Sequence, residues 1–309
     1  MRVLLIGGTG FVGSHVTDRF RAADHDVVVL ARSPNRFSPP HDDVTYHSGD
    51  MADAGTCDQA LSGVSCVIHM AGSTVPGTSD QDPEADIRNN LLSLFPLLKR
   101  MRHHHVRKMV YLSSGGAIYQ DKGGGPSSEV DPLGPLTSYG VVKLAVENYL
   151  QIEARRHGLN TVILRPSNLY GPRQGRVGVQ GLIGTLLWRV AHDQPIEIWG
   201  DGEIRRDYLH VRDIADLCLR TVEARETGIF NAGSGLSHSV SDIIAKVRRI
   251  SGRNFDVIRK PARAADIKTN VLCCAAAREV FRWTPAIDLD EGIADTWNWV
   301  LGNSRAALI

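Results

Sequence analysis

Residues 1–20 run MRVLLIGGTGFVGSHVTDRF. An apolar run at 3–6 (VLLI) ends on glycine. Gly7, Gly10 and Gly13 then recur at every third position, and SHVTDRFRAA reads as a helix. Glycines at a strand-to-helix turn allow unusual φ and bring the backbone close to a pyrophosphate, whose charge then faces a helix N-terminus. A lone GxxGxxG carries little weight. Here it follows a first strand and is followed about twenty residues later by a second apolar run, VVVL at 27–30, which is the context a dinucleotide-binding turn requires.

Outward from this turn the first half alternates short β-branched runs with longer amphipathic stretches. VTYH at 44–47, CVIHMA at 66–71, MVYLSS at 109–114 and TVILRP at 161–166 continue the series. Near-continuous apolar runs suit strands covered on both faces, and the segments between them are long enough for crossover helices. The expected fold class is α/β, a Rossmann-type doubly wound parallel sheet. From about Gly171 the rhythm loosens into a Gly/Arg-rich loop, helical stretches near 181–192 and 240–251, and a C-terminal helix ending WNWV. The division is a dinucleotide-binding domain over 1–170 and, over 171–309, mainly a smaller substrate lobe over the sheet's carboxyl edge, with returns of strand and helix from the later part allowed. GGGPSS at 123–128 reads as a loop. His103–His105 are adjacent, so on a helix they point apart, which fits a solvated helix end better than a metal site.

The chain has 309 residues, 42% of them hydrophobic, enough for a sizeable core. Its 35 Lys+Arg against 34 Asp+Glu leave no charge excess that would favour nucleic acid or an anionic membrane. Five cysteines (Cys57, Cys66, Cys218, Cys273, Cys274) lack CxxC spacing and point to a reducing compartment. The opening apolar run is too short for a signal peptide or a span. The expectation is a cytoplasmic protein with a small-molecule partner.

The acidic residue that would favour NAD at the end of the second strand is replaced by Ala31-Arg32-Ser33. Arg32 could face a 2′-phosphate, which leans the cofactor towards NADP over NAD. Phe11 and Val12 open the first helix, Asp50-Met51 follow the third strand, and Met70-Ala71-Gly72 follow the fourth. All lie at carboxyl ends of strands, where α/β sheets bind ligands. Further on, Tyr139 and Lys143 stand four residues apart, hence on one helix face. A free phenol has a pKa near ~10, and a positive charge at ~4 Å is the right order of help, so Lys143 together with an oxidised nicotinamide would support a tyrosinate base. Ser113-Ser114, at the end of the fifth strand, would deliver a hydroxyl to the same pocket.

With GGTGFVG, VIHMAG, Asn89-Asn90, YLSSGGAIY, SYGVVK, RPSNLYGPRQ, IEIWGDGEIRRDYLHVRD, FNAGSG and FRWTPAIDLDEGIADTWNW in hand, the chain resembles the extended short-chain dehydrogenase/reductase family. Within it, the similarity is to the NAD-dependent epimerase/dehydratase group of UDP-glucose 4-epimerase type. The resemblance implies a triad in which Tyr139 is the acid/base, Lys143 holds the cofactor ribose and tunes the phenol, and Ser114, with Ser113 behind it, bonds the sugar oxygen. Gly115 stands where many relatives carry that hydroxyl. The resemblance also implies a cofactor contact at Asn90 and a diphosphate held by Asn168, Arg206 and Arg263, the arginines matching phosphate oxygens bidentately. It implies a UDP-hexose as default substrate, epimerised through a 4-keto intermediate, and a homodimer packed through two helices per subunit. A 4,6-dehydratase is disfavoured, because Gly115-Gly116-Ala117 carries no carboxylate where such relatives have Asp-Glu. An NADPH-dependent 4-ketoreductase is the runner-up, and a non-catalytic NADP-sensing protein is the alternative from another class.

Overall fold

The computed structural model describes residues 1–74, 76–175, 181–261 and 267–303. The apolar runs of the first half form six strands, β1 Arg2–Ile6, β2 Asp26–Ala31, β3 Val44–Ser48, β4 Cys66–His69, β5 Lys108–Leu112 and β6 Asn160–Pro166. In the later part come β7 Asn168–Tyr170, β8 Ile196–Trp199, β9 Arg205–His210, β10 Gly228–Ala232, β11 Ser237–Ser239, β12 Val257–Lys260 and β13 Thr269–Asn270.

The central sheet has seven strands in the order β3-β2-β1-β4-β5-β6-β10, every neighbour parallel. Its order reverses between β1 and β4, so the crevice for a ligand opens at the carboxyl ends of those two strands. Continuous apolar strands follow from burial on both faces. Val3, Leu5, Val27, Val29 and Ile68 join one core with Phe20 and Leu217, whereas Leu4, Ile6, Val28, Leu30 and Val67 join the other with Leu61, Leu94 and Leu97. The strand period of two thus sends alternate residues into two separate cores.

The two parts of the chain are not cleanly divided at 170. Strand β10 completes the central sheet beside β6, and helix Val211–Glu223 shares a core with the first helix, Phe11–Arg21. Helix Ala275–Phe281 joins that same core through Ala277 and Phe281, and three later helices form a separate one. Helices Leu182–Ala191, Val240–Ser251 and Leu289–Gly302 bury Ile183, Leu187, Ile243, Val247 and Trp297 around the β8–β12 pair. Strand β9 is paired by β7, β11 and β13, and this strip links the lobe to the mouth of the sheet. No helix among the described residues is long and apolar enough to cross a membrane.

Candidate active site

The glycine turn is closely packed. Gly7 has φ +84°, and a Cβ there would lie 2.9 Å from the Ala71 backbone at the exit of β4. At Gly13 a Cβ would sit 2.0 Å from the Gly7 carbonyl oxygen and 2.7 Å from the Gly8 Cα. Both neighbours are backbone, so no rotamer change relieves the clash. Gly10 is the N-cap of helix Phe11–Arg21 and supplies no side-chain cap, leaving the first-turn N–H groups for an outside acceptor. The turn therefore has the shape and polarity for a pyrophosphate, and a dinucleotide fits it.

Gly7, Gly10, Phe11, Val12 and Gly13 line one cavity of about 800 Å³. Arg32, Asp50 and Met51 line its far end, and Met70, Ala71, Gly72 and Asn90 its floor. Arg32 and Asp50 are both about half exposed and lie 3.9 Å apart. The cation at the end of β2 thus has a carboxylate opposite it.

Ser114, Tyr139, Lys143, Asn168 and Arg206 line the same cavity. Tyr139 and Lys143 belong to helix Ser138–His157, whose start is capped by the Thr137 hydroxyl accepting from Gly140 N and whose end is a left-handed Gly158. Ser114 lies two residues past the end of β5 and hydrogen-bonds Tyr139. Ser113 points the other way, its hydroxyl donating to the buried Glu147 carboxylate. Of the two serines, Ser114 alone reaches the phenol side.

Burial pushes the Tyr139 phenol up to about 12; the Ser114 hydrogen bond pulls it down and the Asp86 carboxylate pushes it further up. The ammonium of Lys143 donates to the Leu112 carbonyl at 2.8 Å and stands 5.6 Å from the Tyr139 ring centroid. Burial lowers it to about 8, against the opposing pull of Glu147 and Asp86. Protein groups alone thus leave the phenol above its ordinary value; the expectation joined Lys143 to an oxidised nicotinamide. Desolvation is the largest influence on the phenol.

At the opposite wall, Asn168 donates to the Asp207 carbonyl at 3.0 Å. One nitrogen of Arg206 donates to the carbonyls of Arg205 and Ile267 at 2.9 and 2.7 Å, which fixes its guanidinium over the cavity. Arg263 lies outside the described residues. His104 pairs with Asp58, and among the described residues no cluster could hold a metal ion.

The buried supports of the site are not evident in the sequence. Glu147 stands one turn beyond Lys143 and accepts a forked pair of bonds from Arg165, the shortest 2.6 Å, with both side chains almost wholly buried. Its signal was the continued spacing of four from Tyr139 and Lys143. Asp86, four residues before Asn90, is fully buried and bonded to it at 2.7 Å. Trp199 and Tyr208, which also line the cavity, carried no signal that set them apart from core aromatics.

Comparison with known proteins agrees with this geometry. The model of the NAD dependent epimerase/dehydratase family matches residues 3–233. The chain is 31% identical to the UDP-glucose 4-epimerase of Mycolicibacterium smegmatis, over 99% of this chain and all of that one. The structure of a UDP-glucose 4-epimerase with UDP-glucose from Thermotoga maritima superposes with a TM-score of 0.94 at 29% identity, covering 98% of this chain and 100% of that one. The UDP-glucose 4-epimerase of Thermus thermophilus in complex with NAD gives 0.91 at 31% identity, covering 98% and 99%. The lean towards NADP finds no support in these relatives. With the family model spanning the glycine turn, the Tyr139 helix and the central sheet, the chain belongs to the NAD dependent epimerase/dehydratase family.

Proposed function

We propose that the protein epimerises a UDP-hexose at C4, with NAD retained in the cavity between turnovers. The observation that carries this reading is the single cavity of about 800 Å³ shared by the glycine turn, the Ser114–Tyr139–Lys143 cluster and the Asn168/Arg206 wall. A cofactor turn alone would suit any dehydrogenase. A phosphate-matching wall opposite it suits a substrate that carries its own diphosphate.

In this mechanism Gly7, Gly10 and Gly13 admit the dinucleotide pyrophosphate to the start of helix Phe11–Arg21, and Lys143 and Asn90 hold its nicotinamide half. When bound, the nicotinamide supplies the acceptor and later the donor of a hydride. Asn168 and Arg206 hold the substrate diphosphate, joined by Arg263. Ser114 bonds the sugar oxygen and, with Lys143, keeps the Tyr139 hydroxyl aimed at it. Tyr139 takes the C4 hydroxyl proton as the 4-keto sugar forms. The sugar then turns about its anchored diphosphate, and Tyr139 returns the proton to the opposite epimer.

The Arg32–Asp50 approach of 3.9 Å supports NAD, since the carboxylate both occupies the arginine and repels a 2′-phosphate. A homodimer through helices Leu94–His103 and Ser138–His157 is supported by the apolar side chains they leave in solvent, among them Phe95, Val141, Tyr149 and Ile152. Five cysteines without a disulfide fit the cytoplasm.

The test is proton NMR of the purified protein with UDP-, GDP- and dTDP-hexoses and no added nicotinamide. The proposal expects UDP-glucose and UDP-galactose to interconvert catalytically. No change in any sugar, together with reduction of a 4-keto sugar once NADPH is supplied, would replace it with the ketoreductase.

A further inference from the structure

Behind Tyr139 and Lys143 lies a carboxylate that the mechanism above does not use. Asp86 has no exposed surface at all. It ends helix Pro83–Asp86 where the chain widens into a π-helical turn, Ile87–Leu92, a local irregularity often found beside functional groups. One of its oxygens accepts from the Thr74 hydroxyl at 2.6 Å and from the Asn90 amide at 2.7 Å. The other accepts from the Ser138 hydroxyl at 2.8 Å. Thr74 follows β4 and lines the cavity, Asn90 lines it from the π-turn, and Ser138 immediately precedes Tyr139.

A buried carboxylate is costly unless hydrogen bonds and an opposite charge compensate it. Three donors meet Asp86, and the cation it acts on is Lys143, which it helps keep protonated. The bonds also fix Asn90: with its Nδ2 committed to Asp86, its Oδ1 is left to accept from Ser73 N at 2.9 Å.

We propose that Asp86 is a positioning residue of the reaction, one buried carboxylate that pins the exit of β4, the Asn90 amide and the start of the Tyr139 helix to a common point and fixes a negative charge behind Tyr139 and Lys143. The kinetic part of this proposal rests on the epimerase reading of the cavity.

Several other groups face the pair. Glu147 on the same helix is paired with Arg165. From the strands below come Tyr111, held far above its ordinary value by burial, and His69, lowered by burial to about 3. Neither changes charge between pH 6 and about 9, so Lys143 is the local reporter in that window.

The experiment labels the folded protein with acetic anhydride across pH and reads Lys143 modification by mass spectrometry, comparing wild type with Asp86→Asn. The expected result is a Lys143 midpoint near 8 in wild type. In the variant it falls by about 1 pH unit or more, because a buried negative charge that favours the ammonium is removed, and the pH optimum of turnover moves down with it. A folded Asp86→Asn protein whose midpoint is unchanged overturns the proposal. Should that variant not fold, Ser138→Ala decides: turnover reduced about tenfold with an unmoved midpoint supports the pin, and unchanged turnover refutes it. A wild type that epimerises no sugar removes the functional reading while leaving the labelling comparison intact.

Discussion

Substituting Arg165 by Met tests what holds the catalytic helix against the sheet. Arg165 leaves β6 with 2% of its side chain exposed and meets Glu147, which is 0% exposed, through a fork whose shortest arm is 2.6 Å. A third nitrogen donates to the Tyr119 hydroxyl at 2.9 Å, and that hydroxyl donates to Asn231 at 2.6 Å. Removing the arginine leaves the buried Glu147 carboxylate with the Ser113 hydroxyl but without its guanidinium, a loss of about 3–5 kcal/mol for a buried pair broken on one side. Unfolding entropy of ~2.1 cal/mol/K per residue gives roughly 0.65 kcal/mol per degree for a chain of this length, so Tm falls by about 5–8 °C. Glu147→Leu combined with Arg165→Met removes both charges and restores most of the loss, since an apolar pair of similar volume is often as stable as the buried ion pair. Urea unfolding followed by circular dichroism, run on wild type, both single variants and the double variant, yields the coupling energy. Single substitutions each costing under about 1 kcal/mol, or a double variant as unstable as the sum of its parts, would show that the ion pair does not hold the helix.

Three further outcomes are expected. Tyr139→Phe lowers turnover by about a thousandfold or more and Ser114→Ala by about a hundredfold, with thermal unfolding little changed in either, because loss of a proton-transfer group costs ~10²–10⁴; steady-state rates with UDP-glucose check this. Gly13→Ala, whose Cβ would stand 2.0 Å from the Gly7 carbonyl, abolishes retained dinucleotide, read as loss of nicotinamide from the denatured purified protein. Lys143, lowered by burial to about 8, loses its charge as pH rises past that value, so turnover declines on the alkaline side. Because the unfolded chain keeps that proton up to about 10.4, the unfolded state binds more protons between about 8 and 10.4, and this group makes stability rise with pH there. Its burial penalty is complete below about 8. A stability that falls through that window in wild type but not in Lys143→Met would contradict the assignment.

Much of this architecture is written in short-range pattern. Six apolar runs, each followed by a turn or an amphipathic stretch, foretold β1 to β6, because strands buried on both faces cannot hide their composition. The glycine turn was equally legible, since only glycine suits a position where a Cβ would touch backbone. Long-range partners were harder to read. Strand β10 joins β6 from beyond the nominal domain boundary, and nothing in GIFNA marks that return. The choice between Ser113 and Ser114 turned on which way each side chain leaves the end of β5, a matter of one residue in register. The rise in the Tyr139 pKa is not legible in the sequence, because spacing reports neighbours and not desolvation. Asp86 and Arg165 escaped it because a charged residue in a helix or strand ordinarily reads as surface, and only packing reveals that these two are buried.

In the proposed reaction hydride leaves and returns to the same carbon inside one cavity. UDP-glucose carrying deuterium at C4, incubated with the purified protein without added nicotinamide and followed by proton NMR and mass spectrometry, tests it most directly. UDP-galactose is expected to keep its deuterium at C4 and to take up none of the solvent's hydrogen there. Loss of the label to water, or product formed only in proportion to added NADPH, would contradict it.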